Sequence, residues 1–325
     1  MFAAFAAYAD NEIGRVIQSI DDLGKLDNTL IIYIEGDNGT SSEGQPNGTL
    51  NEVAMFNQIN PSVEDQLKYF YNVWDTDRTY NHMAVGWAWA FDTPFSWTKQ
   101  IVSHFCGTRQ GMAISWPSVI KDKGGIRTQF HHVIDVVPTI LEAARIKAPD
   151  IVDGIKQSPI EGVSMVYTFD QKNASAPSTH MTQYFEMFAD RAIYNDGWIA
   201  STKVLRPPWV TVAKLPKPED YPWELYDLRN DWTQAEDVAA QYRDKLKELQ
   251  ALFWKEAEKY QVLPLDSSVV ARIIAPHPSL SPVGPASAGR GRSPARRTAT
   301  RQACSTPPTP SRPTWIYRKE APKAC

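Results

Sequence analysis

A chain of 325 residues that is 42% hydrophobic and 22% charged reads as a soluble globular protein with material for one large core or two smaller ones. A formal net charge of -3 excludes a global basic field for nucleic acid or an anionic membrane, and no apolar run reaches the roughly 20 residues of a membrane span. Three cysteines, Cys106, Cys304 and Cys325, are too scattered for a disulfide framework or a zinc cluster, and MFAAFAAYADNEIGR meets Asp10 and Glu12 without a basic start or a cleavage site, so it does not read as a signal peptide and inclines the compartment toward the cytoplasm.

Ile13, Val16, Ile17, Ile20 and Leu23 recur at spacings of three and four and predict an amphipathic helix that Gly24 and Asp27-Asn28 end. Thr29-Leu30-Ile31-Ile32-Tyr33-Ile34 follows, an apolar and β-branched run that predicts a strand buried on both faces, as in a helix-covered parallel sheet. It stops at Glu35-Gly36-Asp37-Asn38-Gly39, a polar turn at the carboxyl edge of the sheet, where open α/β folds assemble their sites. Taken alone, Gly36 to Gly39 is a turn signal.

The whole segment TLIIYIEGDNGTSSEG closely resembles the strand-to-loop stretch of arylsulfatases, within the alkaline-phosphatase-like superfamily. The resemblance implies that the Asp37 carboxylate and the Asn38 amide oxygen bind a divalent metal that also holds the sulfate. Both are hard oxygen ligands suited to Ca²⁺ or Mg²⁺, whereas the related phosphoester and phosphonate hydrolases usually place His after this Asp, so Asn38 favours the sulfatase branch.

A second resemblance lies in SWTKQIVSHFCGTRQGMAISWP, where sulfatases carry a lysine, a short loop and a small-small-x-Arg turn that leads into a core strand. It implies that Lys99 contacts the sulfate ester, a compact cation against oxygens on which charge grows. Six residues separate Lys99 from Cys106, and His104 falls close enough in sequence to reach the same cleft, although a lone loop histidine is ordinarily hydrogen-bonded or solvated. Cys106 stands where this branch has glycine; it is no formylglycine precursor, because positions 108 and 110 are Thr and Gln.

Downstream, Gly124-Gly125-Ile126-Arg127 and QFHHVIDVVPTILEAARI resemble the sulfatase segment in which a turn leads into a helix with an Asp-x-x-Pro-Thr motif. His131 and His132 are structural in this reading, since neighbours on a helix diverge by about 100° and do not face one metal. Asp135 with Pro138-Thr139 reads as helix-entry chemistry, with Val136, Val137, Ile140 and Leu141 feeding the core. Beyond about residue 160, the runs MTQYFEMF, RAIYNDGWIASTKV and WELYDL predict an antiparallel sheet. The sulfatase-like WELYDL element precedes a final helix striped by Tyr242, Leu246, Leu249, Leu252 and Phe253. Trp74, Tyr80, Trp87, Trp89, Phe95 and Trp97 are candidates for a leaving-group pocket, though large aromatics more often belong to the core.

From about Pro276 the chain turns to Pro, Ser, Ala and Arg, which predicts disorder; the basic tail is open to weak anion binding, and its composition resembles a shifted reading frame. Ser293-Pro294-Ala295-Arg296-Arg297 matches a formylglycine pattern, as low-complexity sequence does by chance.

The expected architecture is α/β: residues 1–165 as part of a helix-covered mixed sheet of alkaline-phosphatase-like type, 166–268 as a small α+β subdomain with an antiparallel sheet and a final helix, and 269–325 as a disordered tail. The expected function is hydrolysis of a small-molecule sulfate ester through formylglycine and Ca²⁺ or Mg²⁺, with neither membrane nor specific nucleic acid as partner. The nucleophile and the other metal carboxylates are expected in an N-terminal half missing from a truncated chain, so that the isolated chain is inactive. The alternatives are a phosphoester or phosphonate hydrolase of the same superfamily and a non-catalytic fragment with an anion-binding tail.

Overall fold

A computed structural model describes residues 2–36, 38–57, 59, 61–74, 76–210, 213–268, 271 and 275–276, and Met1–Arg272 close on themselves as one compact unit. The tail expected from residue 269 lies outside the described residues apart from 271, 275 and 276. Among the described residues no helix is long and apolar enough to cross a membrane.

Helix α1 spans Phe2–Asp22, starting earlier than the apolar periodicity alone predicts. Gly24 ends it at φ +64°, a left-handed conformation that lets the Lys25 N–H reach back to the Ile20 carbonyl. Its stripe is only partly used: Ile13, Ile17 and Ile20 are half-buried, while Val16 is 63% exposed.

Strand β1, Ile31–Glu35, and strand β2, Gly111–Ser115, pair antiparallel with Ile31 opposite Ser115 and Glu35 opposite Gly111. This corrects the expectation of a doubly buried strand in a parallel sheet and of a core strand at 111–115. Neither strand has another neighbour among the described residues, so Ile31 to Ile34 are half-buried and most of β2 is exposed. Between them in sequence lie three short helices, α2 (Glu52–Phe56), α3 (Val63–Phe70) and α4 (Val85–Asp92). Asn51 and Ser62 cap α2 and α3 by accepting the Ala54 and Asp65 N–H groups.

Helix α5, Val136–Ala144, lies beside β1. Leu30, Ile32 and Ile34 with Trp116, Val136 and Ile140 line an open recess of about 460 Å³. The expected core positions Val137 and Ile140 are exposed, and the residue that α5 buries fully is Thr139, whose hydroxyl donates to the Asp135 carbonyl at 2.6 Å and accepts the Met165 N–H at 2.8 Å. His131 and His132 precede the helix rather than lying on it, and His132 is in extended backbone at φ -125° and ψ 158°.

After a two-residue hairpin, β3 (Ile151–Val152) with β4 (Ile155–Lys156), the chain builds the expected antiparallel sheet: β5 (Thr182–Met187), β6 (Asp190–Asn195), β7 (Trp198–Thr202) and β8 (Trp223–Asp227), paired in chain order. Alternation along the strands divides two cores. Ile193, Ala200 and Leu225 face helix α6 (Arg243–Lys259) and meet Leu249, Phe253 and Ala257; their neighbours Ala192, Ile199 and Tyr226 point the other way and pack on Phe105. Phe253 has no exposed surface, so Phe253→Ala costs about 4 kcal/mol through the cavity it leaves.

Arg191 is the largest fully buried side chain of this core. Its guanidinium donates to the Ala189 and Pro218 carbonyls at 2.8 Å each and sits 4.9 to 5.7 Å from the ring centres of Trp223, Trp254, Tyr221 and Phe253. Ring faces and carbonyl dipoles offset the desolvation of the cation, though burial still lowers its pKa to about 10.

Candidate functional site: the Asn38 and Lys99 loops

The loop after β1 leaves the sheet through Gly36 and Gly39, at φ +99° and +90°, backbone that residues with a Cβ rarely adopt. Asp37 lies outside the described residues. Asn38 is exposed and Gly39 is buried, packed so closely on the Lys99 segment that a Cβ there would collide with the Cys106 carbonyl and lie 2.7 Å from the Lys99 nitrogen. The two stretches that the sequence singles out separately thus meet backbone to backbone.

Polar bonds fasten the junction. The Lys99 N–H donates to the Thr40 carbonyl at 3.2 Å, the Thr98 hydroxyl to Ser42 Oγ at 3.1 Å, and the Gln100 amide to Glu43 Oε1 at 3.0 Å. Thr98 and Ser42 are buried and Lys99 is half-buried. The Thr40 N–H is held by the carboxylate of Asp92, at the end of α4, at 3.0 and 3.3 Å. The Cys106 thiol lies 3.8 Å from the Asp92 and Phe95 carbonyls. Burial foremost, then the Asp92 charge, pushes this thiol far above its ordinary range, so it stays protonated and is no nucleophile.

His104 is turned inward, 4% exposed, with Nδ1 3.0 Å from Ser103 Oγ and Nε2 3.5 Å from Glu224 Oε2 on β8. Burial opposes the charge of Glu224, but the hydrogen bond and charge of His104, with the Tyr226 hydroxyl, outweigh it and hold the carboxyl below its usual range. Both ring nitrogens of His104 are thus engaged, one with the loop and one with the sheet. Gln234 completes this backing: its Oε1 accepts the Phe105 N–H at 2.7 Å, and its Nε2 donates to the Ser103 carbonyl at 3.4 Å and to Ser201 Oγ at 3.3 Å.

The aromatic candidates divide. Phe95 stacks edge-on with Phe105 and Trp232, and the Arg109 guanidinium lies 5.1 Å from its ring centre, as core packing requires. Trp87 and Tyr80 are 64% and 62% exposed, while Trp89 leans on Trp97 at 5.8 Å. Asp92, Glu224 and Gln234 were not legible as members of the assembly. Asp92 sits in an apolar helix before Thr93-Pro94, which reads only as a helix stop, and Gln234 lies in a polar turn among several similar residues.

A second polar centre lies at the start of α5. Asp135, fully buried, accepts from Nδ1 of His131 and His180 at 2.9 Å and from the His132 and Val163 N–H groups at 3.0 and 2.9 Å. This is the helix-entry role expected of Asp135; His180, from the segment before β5, is the partner that sequence spacing did not single out.

As a donor, Asn38 is an exposed residue carrying one hard amide oxygen, and the residues that follow it, Gly39 and Thr40, are held in place, which fits a share in a Ca²⁺ or Mg²⁺ site. Among the described residues no three His, Cys, Asp or Glu converge on a metal position.

The sulfatase family model matches residues 2–146. An uncharacterized sulfatase of Schizosaccharomyces pombe is 30% identical over 259 residues, which are 77% of this chain and 41% of that protein. Among solved structures, Ps i-CgsB is matched with a TM-score of 0.50 and 16% identity over 81% of this chain and 44% of that one, and so is Ps i-CgsB in complex with k-i-k-neocarrahexaose. That likeness is one of fold. The chain thus spans 41% of the curated relative and 44% of the structural one. Residues 2–146 thus resemble the sulfatase family, and the 30% identity extends that likeness over 77% of the chain.

Proposed function

We propose that the chain supplies one side of the active site of an arylsulfatase-type sulfuric ester hydrolase. The single observation that carries this reading is the packing of Gly39 on Lys99 and Cys106, which sets the Asn38 loop beside the Lys99 loop. Asp37 and Asn38 would hold Ca²⁺ or Mg²⁺ through hard oxygens, and the ion would draw charge from the sulfate oxygens as a Lewis acid. Lys99 orients the sulfate and stabilises negative charge growing on the ester. His104 stays behind the loop and contributes its position. Asn38, where phosphoesterases place His, sets the reading on sulfate.

The formylglycine nucleophile and the remaining metal carboxylates come from further sulfatase polypeptide. The recess beside β1 supports this: Leu30, Ile32 and Ile34 present an apolar face that water solvates poorly, and Trp116 Nε1 is buried with no acceptor among the described residues. A segment laid on that face would bury the strand run as its composition demands.

The test compares residues 1–325 alone with a protein extended to the length of its relatives, on aryl sulfate and aryl phosphate with Ca²⁺. The expected result is no turnover by the short chain, and sulfate hydrolysis by the long one that falls at least 100-fold in Asn38→Ala and Lys99→Ala. Turnover by the short chain alone, or preference for phosphate, would overturn the reading.

A further inference from the structure

The Lys99 loop is gripped from two sides. Its front edge lies on the Asn38 loop, through Lys99 N–H to the Thr40 carbonyl and Gly39 against the Cys106 carbonyl. Its back edge, Ser103 to Phe105, is bound to the four-stranded sheet by side chains that reach across more than a hundred residues of sequence: Gln234 on the Phe105 N–H, and Glu224 facing His104. Gln234 is 3% exposed and holds a left-handed backbone at φ +59°, an unfavourable conformation for a residue with a side chain. Such backbone persists where surrounding contacts over-determine it, and here those contacts are a charge-free fork onto Phe105, Ser103 and Ser201.

Between the two grips runs one short stretch, Lys99 to Phe105, with Ile101 and Ser103 buried, so displacement at Phe105 has little slack to absorb it before Lys99. The apolar contact of Phe105 with Ala192, Ile199 and Tyr226 holds the loop on the sheet but permits sliding; the Gln234 and Glu224 bonds are directional and fix its register.

We propose that Gln234, together with the Glu224 and His104 pair, is a positioning element that sets the Lys99 loop against the Asn38 loop from the antiparallel sheet. The catalytic meaning of that placement rests on the sulfatase reading of Lys99. The sheet is thereby part of the site's geometry.

Amide hydrogen exchange on the full chain tests the coupling without needing turnover. In Gln234→Ala, exchange at Phe105 is expected to rise at least tenfold, and exchange at Lys99 and Thr40, on the far side of the loop, at least fivefold; Leu249 to Phe253 in the final helix stay within twofold. Should Gln234→Ala fail to fold, Glu224→Gln reads the same amides, with a rise of at least threefold expected at Lys99. Wild-type rates at Lys99 and Thr40 in whichever variant folds, with Phe105 or His104 alone released, would overturn the proposal. Failure of the underlying reading looks different: hydrolysis by the extended protein would be indifferent to Lys99→Ala while the exchange coupling persisted.

Discussion

His180 Nδ1 lies 2.9 Å from both carboxylate oxygens of Asp135, a residue with no exposed surface, and so ties the start of helix α5 to the segment that enters the antiparallel sheet. Burial acts against both charges. For Asp135 it is outweighed by hydrogen bonds from His131, His180 and two backbone N–H groups, which hold the carboxyl far below its usual range; for His180 it is outweighed by the bond to Asp135 and its charge, which raise the imidazole.

Stability should accordingly peak in mildly acidic solution. The depressed Asp135 contributes stability that is present above its unfolded pKa of about 3.9 and is lost as pH falls toward the folded value. The raised His180 contributes stability that is fully present below about 6.5 and is lost as pH rises through its folded value. Asp135→Asn should cost about 3 kcal/mol by urea titration at pH 6, because it leaves buried imidazoles without their anion. The gap to wild type should narrow below about pH 4 and again in alkali. A gap that stays constant from pH 4 to 9 would count against this assignment.

Gly39 and Gly36 offer a controlled comparison. Both sit at strongly positive φ, but a Cβ at Gly36 meets nothing within 4 Å, whereas at Gly39 it meets the backbone of Cys106 and Lys99. Gly36→Ala should therefore cost only the backbone term, about 1 kcal/mol, and Gly39→Ala about 2 kcal/mol more as the two loops separate. Chemical denaturation measures both. Equal losses would mean that the loops are not in contact as described.

The parts of the fold legible in the sequence are those where local pattern and final burial agree. The short aromatic-rich runs from MTQYFEMF to WELYDL predict the sheet, whose alternate residues along β6 to β8 serve different cores, and α6 shows the stripe of Leu249 and Phe253 that it buries. Strand β1 misled for the opposite reason: Thr29 to Ile34 has the composition of a doubly covered strand, but a single partner lies beside it among the described residues. Lys99 and Asn38 were found through resemblance, and the structure brings their loops together. The groups that back the Lys99 loop are not legible, because Gln234 and Glu224 act across more than a hundred residues and no local spacing records such a pairing.

Arg191 should be intolerant of a change that preserves charge. Its two carbonyl bonds use separate guanidinium nitrogens, and four rings surround the planar group, a geometry that a single ammonium does not reproduce. Arg191→Lys should lower stability by about 2 kcal/mol, the loss of one charged hydrogen bond in a buried site. A thermal melt within a degree of wild type would contradict the account.

Its neighbour Asp190 should behave in reverse, as a residue whose replacement helps. Burial is the main influence on the Asp190 carboxyl and, with Glu186, pushes it up to about 7 against the pull of Arg206 and Arg191. A raised folded pKa means that stability present below the unfolded value of about 3.9 declines as pH rises, until the folded carboxyl ionises near 7. Above that point the core holds an anion it solvates poorly. Asp190→Asn keeps the shape and removes the titration, so relative to wild type it should gain on the order of 2 kcal/mol between pH 5 and pH 8. Paired urea titrations at the two pH values decide it: a difference that does not change with pH would show that Asp190 is ionised in the fold at little cost.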